Sequence, residues 1–283
     1  MDKVSLKDHM RSNGYEPPVV HIEPGRMYRF GKNNALWLKL ALDRMAAFYG
    51  DWRTEEKFTW FAVSAKGLSH ADIAEEIVRN ATAKRERETK TLQRQTAAAN
   101  EVQRLFAEAP APTIQDYLIT KQIEKHIDLF RLINGALVAP LETADGLINL
   151  QYIYPNGKKR FHPGGQIKGA YCVVHMPDIH THLIICEGVA TGCTLAQIDP
   201  TAIVFAAMTA GNLLPVAQAI RAHHPQDRII IAGDNDRFTD GNPGKTKAIE
   251  AARAISAEYS IPEFPPGVDG TDFNDLMCAG ALS

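Results

Sequence analysis

The sequence predicts an α/β fold built on a parallel sheet, and three observations carry that expectation. Between His182 and Asp236 lie three short apolar runs, residues 183–186, 202–207 and 228–233. Each has strand length and little polar alternation, as strands buried on both faces do. The stretches between them have helical composition, so the order reads strand, helix, strand, helix, strand. Two of the runs end in carboxylates, Glu187-Gly188 and Asp234-Asn235-Asp236. In open sheets of this kind the functional crevice lies at the carboxyl ends of the strands. Glu187, Asp234 and Asp236 are therefore expected at one edge.

Carboxylates gathered without a basic partner repel one another unless a cation neutralises them. Magnesium is the natural ion, with manganese as a substitute. It takes one or two carboxylates, keeps several waters and completes its shell with substrate phosphates. On a continuing strand, Asp234 and Asp236 would share a face. Gly188 and Gly233 would allow a ligand to approach the backbone. The bland alternative is that Asp-x-Asp is a capping turn.

The segments ICEGVATGCTLAQ and IIIAGDND resemble the Toprim domain of DnaG-type primases, topoisomerases and some nucleases. The resemblance implies acid–base or metal chemistry for Glu187 and metal binding for Asp234 and Asp236. Residues 270–276, GTDFNDL, resemble the segment that closes this domain in phage- and plasmid-type (mobile-element, TraC-like) primases, which makes Asp272 a further metal residue. The stretch LINLQYIYPNGKKRFHPGGQIKGAYCVV is similar to the segment that precedes the domain in those primases. The expected Toprim domain covers residues 177–283.

Composition sets bounds. A chain of 283 residues has room for one large domain or two smaller ones. The formal net charge of −2 excludes a global basic surface, so any nucleic-acid contact must be a local patch. No apolar run approaches the roughly 20 residues of a membrane span, and the first residues have no signal core. The four cysteines form no C-x-x-C pair, and Cys172, Cys186 and Cys193 read as buried apolar groups. The expectation is a cytoplasmic, reduced, zinc-free protein.

Ahead of the sheet the chain divides into three. Residues 1–68 read as a β-rich module with a hairpin over 26–41. Its mixture of Arg26, Tyr28, Arg29, Trp37, Trp52, Arg53 and Trp60 suits either a clamp for single-stranded nucleic acid or a small aromatic core. Residues 69–112 read as a helical linker capped by Ser69, with sparse apolar positions and basic residues from Lys84 to Arg94. Those residues fit either phosphate tracking or a solvated face. Residues 113–176 read as a mixed α+β unit with strands over 137–141 and 147–154 and a tight turn at Pro155-Asn156-Gly157. Lys159, Arg160 and Lys168, among glycines, either face phosphates or decorate a hairpin tip. By resemblance they sit where such primases place basic residues toward the catalytic groove.

Gly244-Lys245-Thr246 is not a Walker loop, because the glycine that the pattern requires is Thr239. A helix start is the better account, and it brings Lys245 within reach of a nucleotide phosphate. Together the residues and the resemblance imply a primase-like, magnesium-dependent nucleotidyltransferase. Single-stranded DNA and nucleoside triphosphates would be its ligands, and a replicative helicase a candidate partner. The alternatives are a metal-dependent nuclease on the same carboxylates and a non-catalytic DNA-binding accessory module.

Overall fold

The computed structural model describes residues 5–41, 44–54, 56–62 and 70–281, with the backbone alone for 70–81. The expected cap at Ser69 lies outside the described residues. The chain forms two compact units, Met1–Arg85 and Glu86–Ser283.

The first unit contains helix α1 (Leu6–Ser12) and strands β1 (Met27–Phe30), β2 (Leu36–Leu40), β3 (Ala46–Asp51) and β4 (Lys57–Phe61). The strands form an antiparallel sheet in chain order, and the expected hairpin is β1–β2. Ser5 starts α1 by accepting the Asp8 N–H. The core is Met10, Tyr15, Leu38, Ala47 and Tyr49. The aromatics separate into two sets. Tyr49 stacks on Phe58 in the interior, with ring centroids 5.4 Å apart. Trp52 is half exposed, beside Trp37 and under the Arg29 guanidinium at 5.3 Å.

Helix α2 (His70–Glu108) follows. Residues 82–97 are almost all exposed, as their sparse apolar content requires. Further on, Ala98 and Val102 are buried, Val102 against Val138 and Leu150. Then come α3 (Asp116–Thr120), a 3₁₀ segment at Glu124–Leu129, and β5 (Arg131–Ile133), β6 (Ala136–Thr143), β7 (Gly146–Ile153) and β8 (Lys159–Phe161). These four strands form an antiparallel sheet. The β7–β8 connection is the expected tight turn: Asn156 accepts the Lys158 N–H and Gly157 sits at φ 77°.

The remaining elements are β9 (Cys172–His175), β10 (His182–Cys186), α4 (Val189–Ile198), β11 (Ala202–Ala206), α5 (Leu213–His223), β12 (Ile229–Ala232), α6 (Pro243–Ala254), β13 (Glu258–Ser260) and α7 (Phe273–Cys278). Their sheet runs β13-β12-β10-β11-β9. The first four strands are parallel and β9 is antiparallel to β11. The mainly parallel α/β sheet is as expected, and the antiparallel edge is new. It comes from chain before the expected domain start. Tyr171 and Glu142 exchange backbone hydrogen bonds of 2.8 and 3.0 Å, which join β9 to the neighbouring sheet.

Both faces of the parallel sheet are covered, which explains the unbroken apolar runs. Leu183, Ile185, Ile229 and Ile231 pack with Ala217, Ile220, Ala248 and Ala252 of α5 and α6. On the other face, Ile184, Cys186 and Val204 pack with Cys193, Leu137 and Leu141. Cys172, Cys186 and Cys193 are free and buried. Among the described residues no helix is long and apolar enough to cross a membrane.

Gly233 has a packing role rather than the expected role of admitting a ligand. A Cβ there would come 2.3 Å from the Ala248 Cβ and 2.9 Å from Ile261 Cδ1. The missing side chain lets α6 lie directly on the end of β12. Gly233→Ala is expected to lower stability by about 1–3 kcal/mol, read as a reduced urea midpoint with an unchanged slope.

Candidate active site

The carboxyl ends of β10 and β12 set the site. Glu187 follows β10 directly, and Gly188 is the residue before α4. β12 stops at Ala232, so Asp234 and Asp236 do not lie on a continuing strand as expected. They flank Asn235 in irregular backbone that is firmly tied. The Asn235 N–H donates to the Thr271 carbonyl at 2.6 Å, and its Nδ2 donates to Pro262 at 3.0 Å. Asn242 Nδ2 donates to Asn235 Oδ1 at 2.8 Å. The central residue of Asp-x-Asp thus anchors the loop, and its two neighbours carry the charge.

Asp236 is also a capping group. Its Oδ2 accepts the Gly244 N–H at 2.8 Å, where α6 begins. A Cβ on Gly244 would lie 2.8 Å from the Asp234 carbonyl and 2.9 Å from Asp236 Oδ2. The glycine that failed as a Walker residue is the point of closest approach between helix and acidic loop. Lys245 is exposed in the first turn of that helix.

Residues 272–276 lock a second wall. Asp272 caps α7 by accepting the Asp275 N–H at 2.8 Å. Phe273 and Leu276 enter the core. Asn274 is fully buried, and its Nδ2 donates to the Lys121 carbonyl and to Thr194 Oγ1. Asp275 accepts the Thr271 N–H and pairs with Lys121 Nζ at 3.1 Å. Burial alone would raise the Asp275 pKa, but these partners hold it below the usual range. Lys121 had no signal in the sequence; it follows a short helix far from the acidic motifs.

The charges here are strongly coupled. Desolvation pushes Asp234 up to about 8, with further repulsion from Glu187, Asp272 and Asp236 and relief from Lys159. Glu187 is raised by burial and by Asp236, against the Ala210 N–H and Lys159. Lys159 is lowered by desolvation first and by Lys121 second. The residue as a whole is exposed, while its ammonium lies 6.0 Å from the Tyr117 ring centroid. The Tyr117 hydroxyl is buried without a partner, and burial raises its pKa. The expectation of carboxylates without a basic neighbour is therefore corrected: Lys159 faces them.

Glu187 Oε2 and Asp234 Oδ1 are buried with no hydrogen-bond partner. Such orphaned anionic oxygens are costly, and their hard donor chemistry fits magnesium or manganese. No three of the carboxylates bring oxygens within 4.8 Å of one another.

The other basic residues of the sequence reading are placed differently. Arg160 follows Lys159 on β8, so its side chain leaves by the opposite face. Lys168 is exposed in the loop after β8. In that loop, Gly165 makes room for Asn149, whose side chain a Cβ would meet at 2.5 Å. Asn149 Nδ2 holds the Gln166 carbonyl.

An α/β sheet with these strand-end carboxylates defines a class. Residues 182–281 match the Toprim domain family, and the chain carries a Toprim domain over this stretch. Two curated Escherichia coli proteins, each described as DNA primase TraC, are similar to it. One is 39% identical over 160 residues, covering 53% of this chain and 15% of the relative. The other is 40% identical over 124 residues, covering 41% and 8%. The match thus spans a small part of either relative. Among solved structures, the primase fragment of the bacteriophage T7 primase-helicase protein is 17% identical. It covers 54% of this chain and 62% of its own, with a TM-score of 0.42.

The raised Asp234 pKa gives a signed expectation. Between about pH 4 and pH 8 the folded protein keeps a proton that the unfolded chain has released. Stability of chelator-treated protein therefore falls as pH rises through that window, by at most about 1.4 kcal/mol per unit from this group. Urea midpoints of wild type and Asp234→Asn, compared from pH 4 to pH 8, should show the variant gaining on wild type as pH rises.

Proposed function

We propose that this chain is a primase-like nucleotidyltransferase that makes short primers on single-stranded DNA with magnesium or manganese. The observation that carries the reading is the pair of orphaned oxygens, Glu187 Oε2 and Asp234 Oδ1, set opposite the Lys159 ammonium. Similarity to proteins described as DNA primase supports it.

In this reading Asp234, Asp236 and Asp272 hold the metal, and Glu187 assists them or takes a proton. The bound ion would neutralise triphosphate charge and lower the barrier to attack by the primer hydroxyl. The protein's own groups do the positioning. Asn235 and Gly244 fix the acidic loop, so its charges need not reorganise during reaction. Glu187 Oε2, unpartnered and raised in pKa, is suited to accept the proton of the attacking 3′ hydroxyl. Lys159, which faces the carboxylates without a short ion pair to them, would meet the triphosphate. Lys121, held by Asp275, adds positive potential beside it. Arg160, Lys168 and Lys245 are assigned to template or nucleotide phosphates further from the chemistry. A replicative helicase would be the partner that presents single strands.

The test is synthesis of labelled oligonucleotides on single-stranded DNA with nucleoside triphosphates and magnesium or manganese. Asp234→Asn should abolish product while the circular dichroism spectrum is retained. Lys159→Ala should reduce the rate by about 10²–10³-fold. Template degradation that depends on Asp234 would assign a nuclease instead. DNA binding that persists in chelator, with neither product, would assign an accessory module.

A further inference from the structure

The opposite edge of the parallel sheet carries a second group of ligating side chains. We propose that His180, His224 and Asp227 form a site for a divalent transition ion of the zinc type. Among the described residues this is the group of three His, Cys, Asp or Glu whose ligand atoms all lie within 4.8 Å of one another. His224 Nδ1 is 2.7 Å from Asp227 Oδ2, and His180 Nε2 is 3.7 Å from the same oxygen. Tetrahedral zinc with bonds of about 2.0–2.1 Å keeps neighbouring ligand atoms roughly 3.3 Å apart. The two separations to Asp227 Oδ2 bracket that value, and the two imidazole nitrogens lie within 4.8 Å of each other.

The fold brings the three residues together and holds them. β10 and β12 pair in parallel with Leu183 opposite Ile229, so the segments that lead into them run side by side. His180 precedes β10, and Asp227 precedes β12. Arg221 Nη1 donates to the carbonyls of His224, Pro225 and Asp227, which fixes the turn that presents two of the ligands. The His180 and His224 rings meet edge to face, with centroids 6.4 Å apart. The three side chains are each about one-third exposed, so an ion and a completing water can reach them.

Ligand chemistry sets the class. Two imidazoles and one carboxylate suit zinc, cobalt or nickel and are poor for magnesium, which prefers an all-oxygen shell. The site therefore differs in ion preference from the carboxylate cluster at the other edge. Its bound ion would tie the start of β10 to the start of β12. The zinc-free expectation rested on cysteine spacing. Histidines supplied by separate segments of the chain leave no such spacing.

The experiment is calorimetric titration of the untagged full chain with zinc, in excess magnesium to occupy the carboxylate cluster. It is repeated with His180→Ala, with His224→Ala and with the double variant Glu187→Gln/Asp234→Asn. The expected result is about one zinc per chain. Each histidine variant should lose at least tenfold in affinity, and the carboxylate variant should be unchanged. Cobalt(II) should give the intense visible absorption of a four-coordinate ion in wild type and lose it in His180→Ala. At a hundredfold excess over Kd, zinc should raise Tm by about 5 °C in wild type and not in either histidine variant. Absence of binding, equal binding by the histidine variants, or loss in the carboxylate variant would each overturn the assignment. None of these readouts depends on primer synthesis, so the proposal stands or falls apart from the activity reading.

Discussion

Like-charge repulsion among buried carboxylates is the constraint on which the rest of the structure depends. Glu187 and Asp234 would each lower their own cost by turning toward a donor or toward water. The surrounding bonds fix the loops around them. Asn235 pins the loop through three hydrogen bonds, and Gly244 brings the start of a helix against it. Asn274 and Asp275 fasten the opposite wall to Lys121. Unpartnered buried oxygens of this kind persist only where the surrounding fold fixes the backbone that bears them. Here that fold is a sheet covered on both faces, whose strands have no freedom to slide.

Positive charge reaches the site from outside the parallel sheet. Lys159 comes from the hairpin strand β8, and Lys121 from the end of the short helix α3. Neither forms a short ion pair with Glu187 or Asp234 among the bonds that hold the loops. Lys159 acts over distance and remains available to exchange partners, whereas Lys121 is committed to Asp275. The two lysines thus divide into one without a short ion pair to the carboxylates and one paired to Asp275.

Much of this was legible in the sequence, for identifiable reasons. Strands buried on both faces write themselves as continuous apolar runs, so β10, β11 and β12 were visible, and with them the positions of Glu187 and Asp234. Turn chemistry gave the β7–β8 connection through Asn156 and Gly157. What escaped were the residues whose role depends on pairing between distant segments. Lys121, Tyr117 and Asn274 have unremarkable local contexts. The one available signal was Asn274, a polar residue set between Phe273 and Leu276 of the core. Asp272 was read as a charge alone, although it also caps a helix; for Asp236 the capping alternative offered for Asp-x-Asp is present beside its charge. The antiparallel placement of β9 has no local mark, because four apolar residues do not state their direction.

The borrowed strand β9 has a practical side. The family match begins at His182, after β9 has ended. A fragment cut at that point would leave β11 as a bare sheet edge of unpaired N–H and C=O groups, flanked by apolar residues. Edges of that kind recruit other chains and aggregate. It would also lack both lysines that face the carboxylates. A fragment that keeps this edge covered and both lysines in place is therefore larger than the recognisable domain, and it should begin no later than the helix that carries Val102.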